Sequence, residues 1–231
     1  MKYYLHVQIL KLEPMVRIEV PDFLEEAFIE GYSRVEVGNR IYNFYSVDIG
    51  LLNVPTGKII ACDPFIYNED EPFNIGFPIG QFPVELSIAK INGDERVGFA
   101  RIRFSDNVPV NWVMAVCEGQ DVTSLKANEF FGYGVDAGTG AFMDEMNAKV
   151  FSEYLDEKDD NFKKITDEME KTYKHTRSWL LWEKHGSNVA MFSSGWGDGH
   201  YTTYIGYDIN NNICRLVTDF GLLDWPEMDT K

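Results

Sequence analysis

The chain has 231 residues, 45% of them hydrophobic and 14% aromatic, with 21 basic against 37 acidic side chains and a formal charge of −16. That much apolar side chain excludes wholesale disorder, and the length fits a single β-rich domain over residues 1–231. The acid surplus argues against a role on duplex nucleic acid, whose phosphates require clustered Lys and Arg.

The first residues are apolar but interrupted by His6, Gln8, Lys11 and Glu13, so they do not read as a signal peptide. No run approaches the ~20 apolar residues of a membrane span. Cys62, Cys117 and Cys214 are far apart and include no C-x-x-C, which argues against a zinc knuckle, a redox pair or a disulfide framework. Together these predict a soluble protein of a reducing cytoplasm.

Pro21, followed by Asp22, Glu25 and Glu26, marks a helix start. Strands are predicted over 34–37 and 40–45 around Gly38-Asn39, over 84–88, and over 96–104 after Asn92-Gly93. In the last of these Ala100, Ile102 and Phe104 share one face and Arg101 and Arg103 the other. Residues 112–117, 188–192, 200–209 and 213–220 read as further strands. Helical periodicity links Phe142, Met146, Val150 and Tyr154, then Phe162, Ile165, Met169 and Tyr173. The acidic stretches 68–72 and 156–160 read as surface loops. The expected class is α+β: a largely antiparallel β-sheet or sandwich core with two or three inserted amphipathic helices, residues 1–50 forming an N-terminal helix and hairpin extension.

Two segments carry candidate chemistry. In Gly132-Tyr133-Gly134-Val135-Asp136-Ala137-Gly138-Thr139-Gly140 a glycine-rich turn leads toward the helix, and Gly138, Thr139 and Gly140 offer backbone groups to a ligand. Asp136 and Asp144 argue against a bare phosphate and suit Mg²⁺ or Ca²⁺. The alternative is purely local, with Thr139 capping the helix and Asp144 favoured by its dipole. In Ser194-Gly195-Trp196-Gly197-Asp198-Gly199-His200, Gly197 and Gly199 allow close backbone approach, and Asp198 is spaced to orient His200 or to share a metal with it. A Ser194–His200–Asp198 triad has no support in the spacing, and the segment is not a G-x-S-x-G elbow. The run Asp208-Ile209-Asn210-Asn211-Asn212 has calcium-loop oxygens but Ile213 where glycine is required, so it reads as a hairpin turn. Arg101 and Arg103 are expected to pair with acids across the sheet, and the Trp179–Trp182 cluster to be core.

Several blocks occur together and in order: Pro55-Thr56-Gly57-Lys58-Ile59-Ile60-Ala61-Cys62-Asp63-Pro64, Phe82-Pro83-Val84, residues 132–140, residues 194–199 and Val217-Thr218-Asp219-Phe220. By these the chain resembles the bacterial family catalogued as domain of unknown function 4241, over about 51–220. It departs from that pattern at Gln81, Ala141 and Thr202, and Ala141 removes any role for a thiol there. The resemblance implies no activity, but it draws Asp63, Asp136, Asp144, Asp198 and Asp219 into one set. If these acids converge, a cation or raised pKa values must accompany them; if they do not, each is a turn or cap residue.

Two functions follow as expectations. One is binding of a small ligand or divalent cation at a Gly/Asp-rich site formed by 132–144 and 194–200, with Asp136, Asp198 and His200 as candidate catalytic residues and Asp136, Asp144 and Asp198 as metal ligands. The other is an immunity-type protein that neutralises a basic partner through its acidic surface.

Overall fold

The computed structural model describes residues 21–36, 38–66, 71–126, 129–158 and 160–225. The N-terminal run, residues 68–70 of the first acidic loop and Asp159 of the second lie outside the described residues. The elements in order are α1 (Phe23–Glu26), β1 (Ser33–Glu36), β2 (Arg40–Val54), β3 (Ile59–Cys62), β4 (Gly80–Ile91), β5 (Asp94–Arg103), β6 (Asn111–Met114), β7 (Tyr133–Val135) and β8 (Thr139–Asp144). Then follow α2 (Glu145–Glu157), α3 (Asp160–Glu170), β9 (Trp179–Lys184), β10 (Ser187–Ser193), β11 (Gly199–Tyr207) and β12 (Ile213–Asp219). This is the expected α+β class.

Every strand pairing is antiparallel. One sheet runs β1-β2-β4-β5-β12-β11-β6, with β7 on the start of β11, and the other runs β3-β8-β10-β9. The hairpins follow local chemistry. Asn92 and Gly93 both have positive φ and join Ile91 directly to Asp94, the two-residue turn whose twist matches the strands. His185-Gly186 does the same between Lys184 and Ser187. Between β11 and β12, Asp208 accepts from the backbone N–H of Asn210 (2.9 Å) and Asn212 (2.8 Å). The asparagine run is a turn, as its missing glycine implied.

Alternation along the strands divides the apolar side chains among three cores. Val84, Leu86, Ala100, Ile102, Phe142, Phe192 and Leu216 lie between the sheets. Phe99, Tyr204 and Val217 point to the other face of the larger sheet and are covered by Phe23, Leu24 and Phe28 around α1 and by Leu222 and Leu223 after β12. Ile60, Met143, Val189 and Met191 face outward from the smaller sheet beneath Ala148, Phe151, Ile165 and Met169 of α2 and α3. The chain is thus layered helix, sheet, sheet, helices.

The helical stripe through Phe142 and Met143 needs correction. Both belong to β8 and sit on opposite faces of its sheet; α2 begins at Glu145 with Asp144, not Thr139, as its N-cap. Met146 is exposed, and the buried helix face is Asn147, Ala148 and Phe151. Arg101 and Arg103 behave as expected. Arg101 lies directly across from Glu85, with Nε 2.7 Å from its carboxylate, and Arg103 is 3.4 Å from the same acid. Among the described residues no helix is long and apolar enough to cross a membrane.

Candidate functional site

The two glycine-rich segments do meet. Between β7 and β8 the backbone turns at residues 136–138, with Gly138 at φ +62°. Three successive N–H groups of this turn point at carboxylates. Asp63 Oδ2 accepts from Asp136 (3.0 Å) and Ala137 (2.7 Å), and Asp198 Oδ1 accepts from Gly138 (3.1 Å). Asp63 also accepts from Phe65 N–H through its other oxygen, at 3.0 Å. The Gly138 carbonyl in turn accepts from Ser194 N–H (3.1 Å). The turn is an anion cradle made by the N–H groups of 136–138, and the protein's own acids fill it; Thr139 and Gly140 belong to β8.

The remaining glycines of the blocks are set by close packing. A Cβ on Gly132 would fall 2.3 Å from the Tyr201 carbonyl oxygen of β11, so only glycine lets the two strands cross there. A Cβ on Gly140 would reach the Tyr133 hydroxyl at 2.8 Å. That hydroxyl is sealed in the core beside Thr218, whose own hydroxyl is shared with Thr203 (2.8 Å), and it makes no well-formed hydrogen bond among the described residues. Burial raises its pKa far above the ordinary value, so Tyr133 stays neutral. Gly197 receives hydrogen bonds on its carbonyl from Ser194 Oγ (2.9 Å) and Tyr201 Oη (2.7 Å), and Gly199 packs its Cα face on the Tyr201 ring. Thr139 is buried and donates to the Ala137 carbonyl.

Five acids of the family-like blocks separate into different tasks. Asp144 is fully buried; its carboxylate accepts from Met146 N–H (2.9 Å), Thr56 N–H (3.0 Å) and the Thr56 hydroxyl (2.8 Å). Asp219, also buried, accepts from Gly221 N–H and Trp225 Nε1, both at 2.8 Å. Asp63 holds the 136–138 turn. Only Asp136 and Asp198 are exposed, on the ledge that also carries exposed His200 and Trp196. His200 lies opposite Gly134 in the β7–β11 pairing. The three-acid set Asp136, Asp144 and Asp198 is not assembled, and the described residues contain no group of three or more metal-ligating side chains. Nor is a triad formed: Ser194 is buried with its hydroxyl committed to Gly197, while His200 is exposed.

The concave site lies on a different part of the same segment. β6 pairs with residues 204–207 of β11 and β7 with residues 199–201, and β3, an end strand of the smaller sheet, lies against β7. The chain bridges this opening twice. Phe73 N–H donates to Ile59 O (3.0 Å), and Asn74 N–H to Val116 O (2.9 Å). A cavity of about 330 Å³ results, lined by Gly132, Tyr133 and Gly134, by Ala61 and Phe73, by Ala115, Cys117, Glu118 and Gln120, and by Glu71 and Thr203. Gln120 is held by accepting from Cys117 N–H at 2.9 Å. Glu71 and Glu118 are exposed and pair with no cation among the described residues. Asp136, Asp198 and His200 are not in the lining. The contribution of residues 71–73 and 115–120 had no sequence signal, because they are brought in by two backbone bridges rather than by a motif.

A family model described as "Protein of unknown function (DUF4241)" matches residues 52–218. No curated protein and no solved structure matches the chain.

Proposed function

The chain belongs to the DUF4241 family, and from that premise we propose that it binds a small ligand in the cleft between β3, β6 and β7. The observation that carries this reading is a cavity of about 330 Å³ whose wall includes residues 132–134. That volume is within the roughly 300–1,000 Å³ typical of small-molecule sites. Its wall is mixed: Ala61, Phe73 and Ala115 offer apolar contact, while Gln120, Thr203, Glu71, Glu118 and residues Gly132 and Gly134 supply polar groups that fix an orientation. The 136–138 turn supports the cleft by anchoring the far end of β7 through Asp63 and Asp198.

The test is a small-molecule screen read by backbone NMR shifts on the full chain. Ligands should perturb residues 115–120 and 132–134 and lose binding in Glu118→Trp, which fills the opening from an exposed position, while His200→Ala binds normally. Shifts confined to Asp136, Asp198 and His200 would move the site to the ledge. If Mg²⁺ or Ca²⁺ alone produced those ledge shifts, cation binding would replace the cleft reading. A second reading, capture of a basic protein, is favoured by the charge of −16. Salt-sensitive co-purification with one basic partner, unaffected by Glu118→Trp, would carry it.

A further inference from the structure

Charge and shape in the cleft select a ligand class, and this step rests on the cleft being the binding site. Among the described residues the lining contains two carboxylates, Glu71 and Glu118, and no Lys, Arg or His. Three acids on or against the larger sheet, by contrast, meet cations: Glu25 meets Arg101 and Arg215, Glu85 meets Arg101 and Arg103, and Glu95 meets Arg177 and Lys174. Glu71 and Glu118 have no such partner among the described residues. They share the lining with the apolar residues Phe73 and Ala115. A concave, low-dielectric wall concentrates the field of such charges and raises the local concentration of cations.

We infer that the cleft takes an organic cation, a guanidinium or alkylammonium group on a short apolar stem. The stem packs on Phe73 and Ala115, and the charge faces Glu71 and Glu118. Anions are excluded by the same two carboxylates, and a bare metal ion would leave Phe73 and Ala115 unused and find only two carboxylates there. The group can arrive as a free small molecule or as an Arg or Lys side chain of a basic protein. Both present the same chemistry to the cleft.

The experiment titrates the full chain with butylguanidinium and pentylammonium, with pentanol and pentanoate as neutral and anionic probes of similar size, read by NMR shifts of residues 115–120 and 132–134. The cations should bind saturably, more tightly than pentanol, and more weakly as salt is raised. Pentanoate should not bind. Glu71→Gln and Glu118→Gln should each weaken the cations roughly threefold and together roughly tenfold, the scale of exposed charge pairs, while leaving pentanol unchanged. A capped Gly-Arg-Gly peptide binding well above butylguanidinium would identify a protein side chain as the source, and equal affinity a free molecule. Binding of pentanol or pentanoate at the cleft as tightly as the cations would overturn the cation inference and leave the cleft reading standing. No shift at the cleft from any probe, in a protein whose screen also yields no cleft ligand, would overturn both.

Discussion

Asp63 and Asp198 do for the 136–138 turn what a bound anion does at a helix N-terminus: they accept backbone N–H groups that would otherwise be left without partners. That explains why glycine and aspartate recur together in this chain although the described residues assemble no group of three or more metal-ligating side chains. The two most perturbed carboxyls are elsewhere and act in opposite directions on stability. Burial alone would raise Glu95, but hydrogen bonds from Tyr45, Lys174 and Arg177 and the Arg177 charge outweigh it and bring it down to about 2. Its contribution is therefore complete above the ordinary 4.5 and is lost as the pH falls toward 2. Burial pushes Asp219 up from 3.8 to about 6, against the bonds from Trp225 and Gly221. This group favours the fold below 3.8, and that contribution is lost as the pH rises through 6. Urea midpoints measured across the acid range should therefore peak between about pH 4 and 5. Asp219→Asn should be less stable overall, since one amide oxygen cannot serve both donors, yet it should flatten the decline from the peak toward neutrality. Glu95→Gln should flatten the acid limb. Unaltered limbs in both variants would show that neither carboxyl controls the profile.

At the scale of elements, the junction of β8 and α2 shows how a strand passes directly into a helix. Asp144 ends the strand, caps the helix through Met146 N–H, and ties both to the 55–58 turn through Thr56. Asp144→Ala should lower unfolding free energy by about 3 kcal/mol, more than the ~1 kcal/mol of an ordinary cap, because the half-buried Thr56 N–H and hydroxyl lose their acceptor as well. Thr56→Val should cost less, since Met146 N–H keeps its partner. Equal losses in denaturant melts would assign the effect to the Thr56 contact and not to the cap. The strands with clean alternation and the turn dipeptide Asn92-Gly93 were legible because each depends on neighbours in sequence; at Gly38-Asn39 the place of the turn was legible but not its length, since Glu36 pairs with Arg40. The β8–α2 boundary was not, because Phe142, Met146 and Val150 satisfy an i, i+4 spacing that spans a strand and a helix. Short strands such as β3 and β7 have no period to detect, and the His185-Gly186 turn has histidine where the common turn dipeptides have asparagine or aspartate.

Across the whole molecule, residues outside the 52–218 family match supply the outer layer of the larger sheet. A four-residue helix cannot persist alone, so α1 is held by contacts made far along the chain. Glu25 takes a two-point contact from Arg215 (2.9 and 3.1 Å) and one from Arg101 (3.0 Å), while Phe23 meets Phe99 at 5.5 Å and the edge of Trp225 at 5.9 Å. Residues 23–28 and 222–225 therefore form one cover, the second segment fixed by Asp219 bonding Trp225 and the helix by Glu25. None of this was visible in the composition, where the same acids counted only toward −16; pairing across 190 residues, as between Glu25 and Arg215, leaves no local trace. If the cover is cooperative, Phe23 and Trp225 must be energetically coupled. Phe23→Leu and Trp225→Ala should each destabilise, and the double variant should lose about 1 kcal/mol less than their sum, the scale of an edge-on aromatic pair. Chemical denaturation of the four proteins in the cycle measures this directly. Strict additivity would mean that α1 and residues 222–225 shield the sheet independently, and that either could be exchanged without consequence for the other.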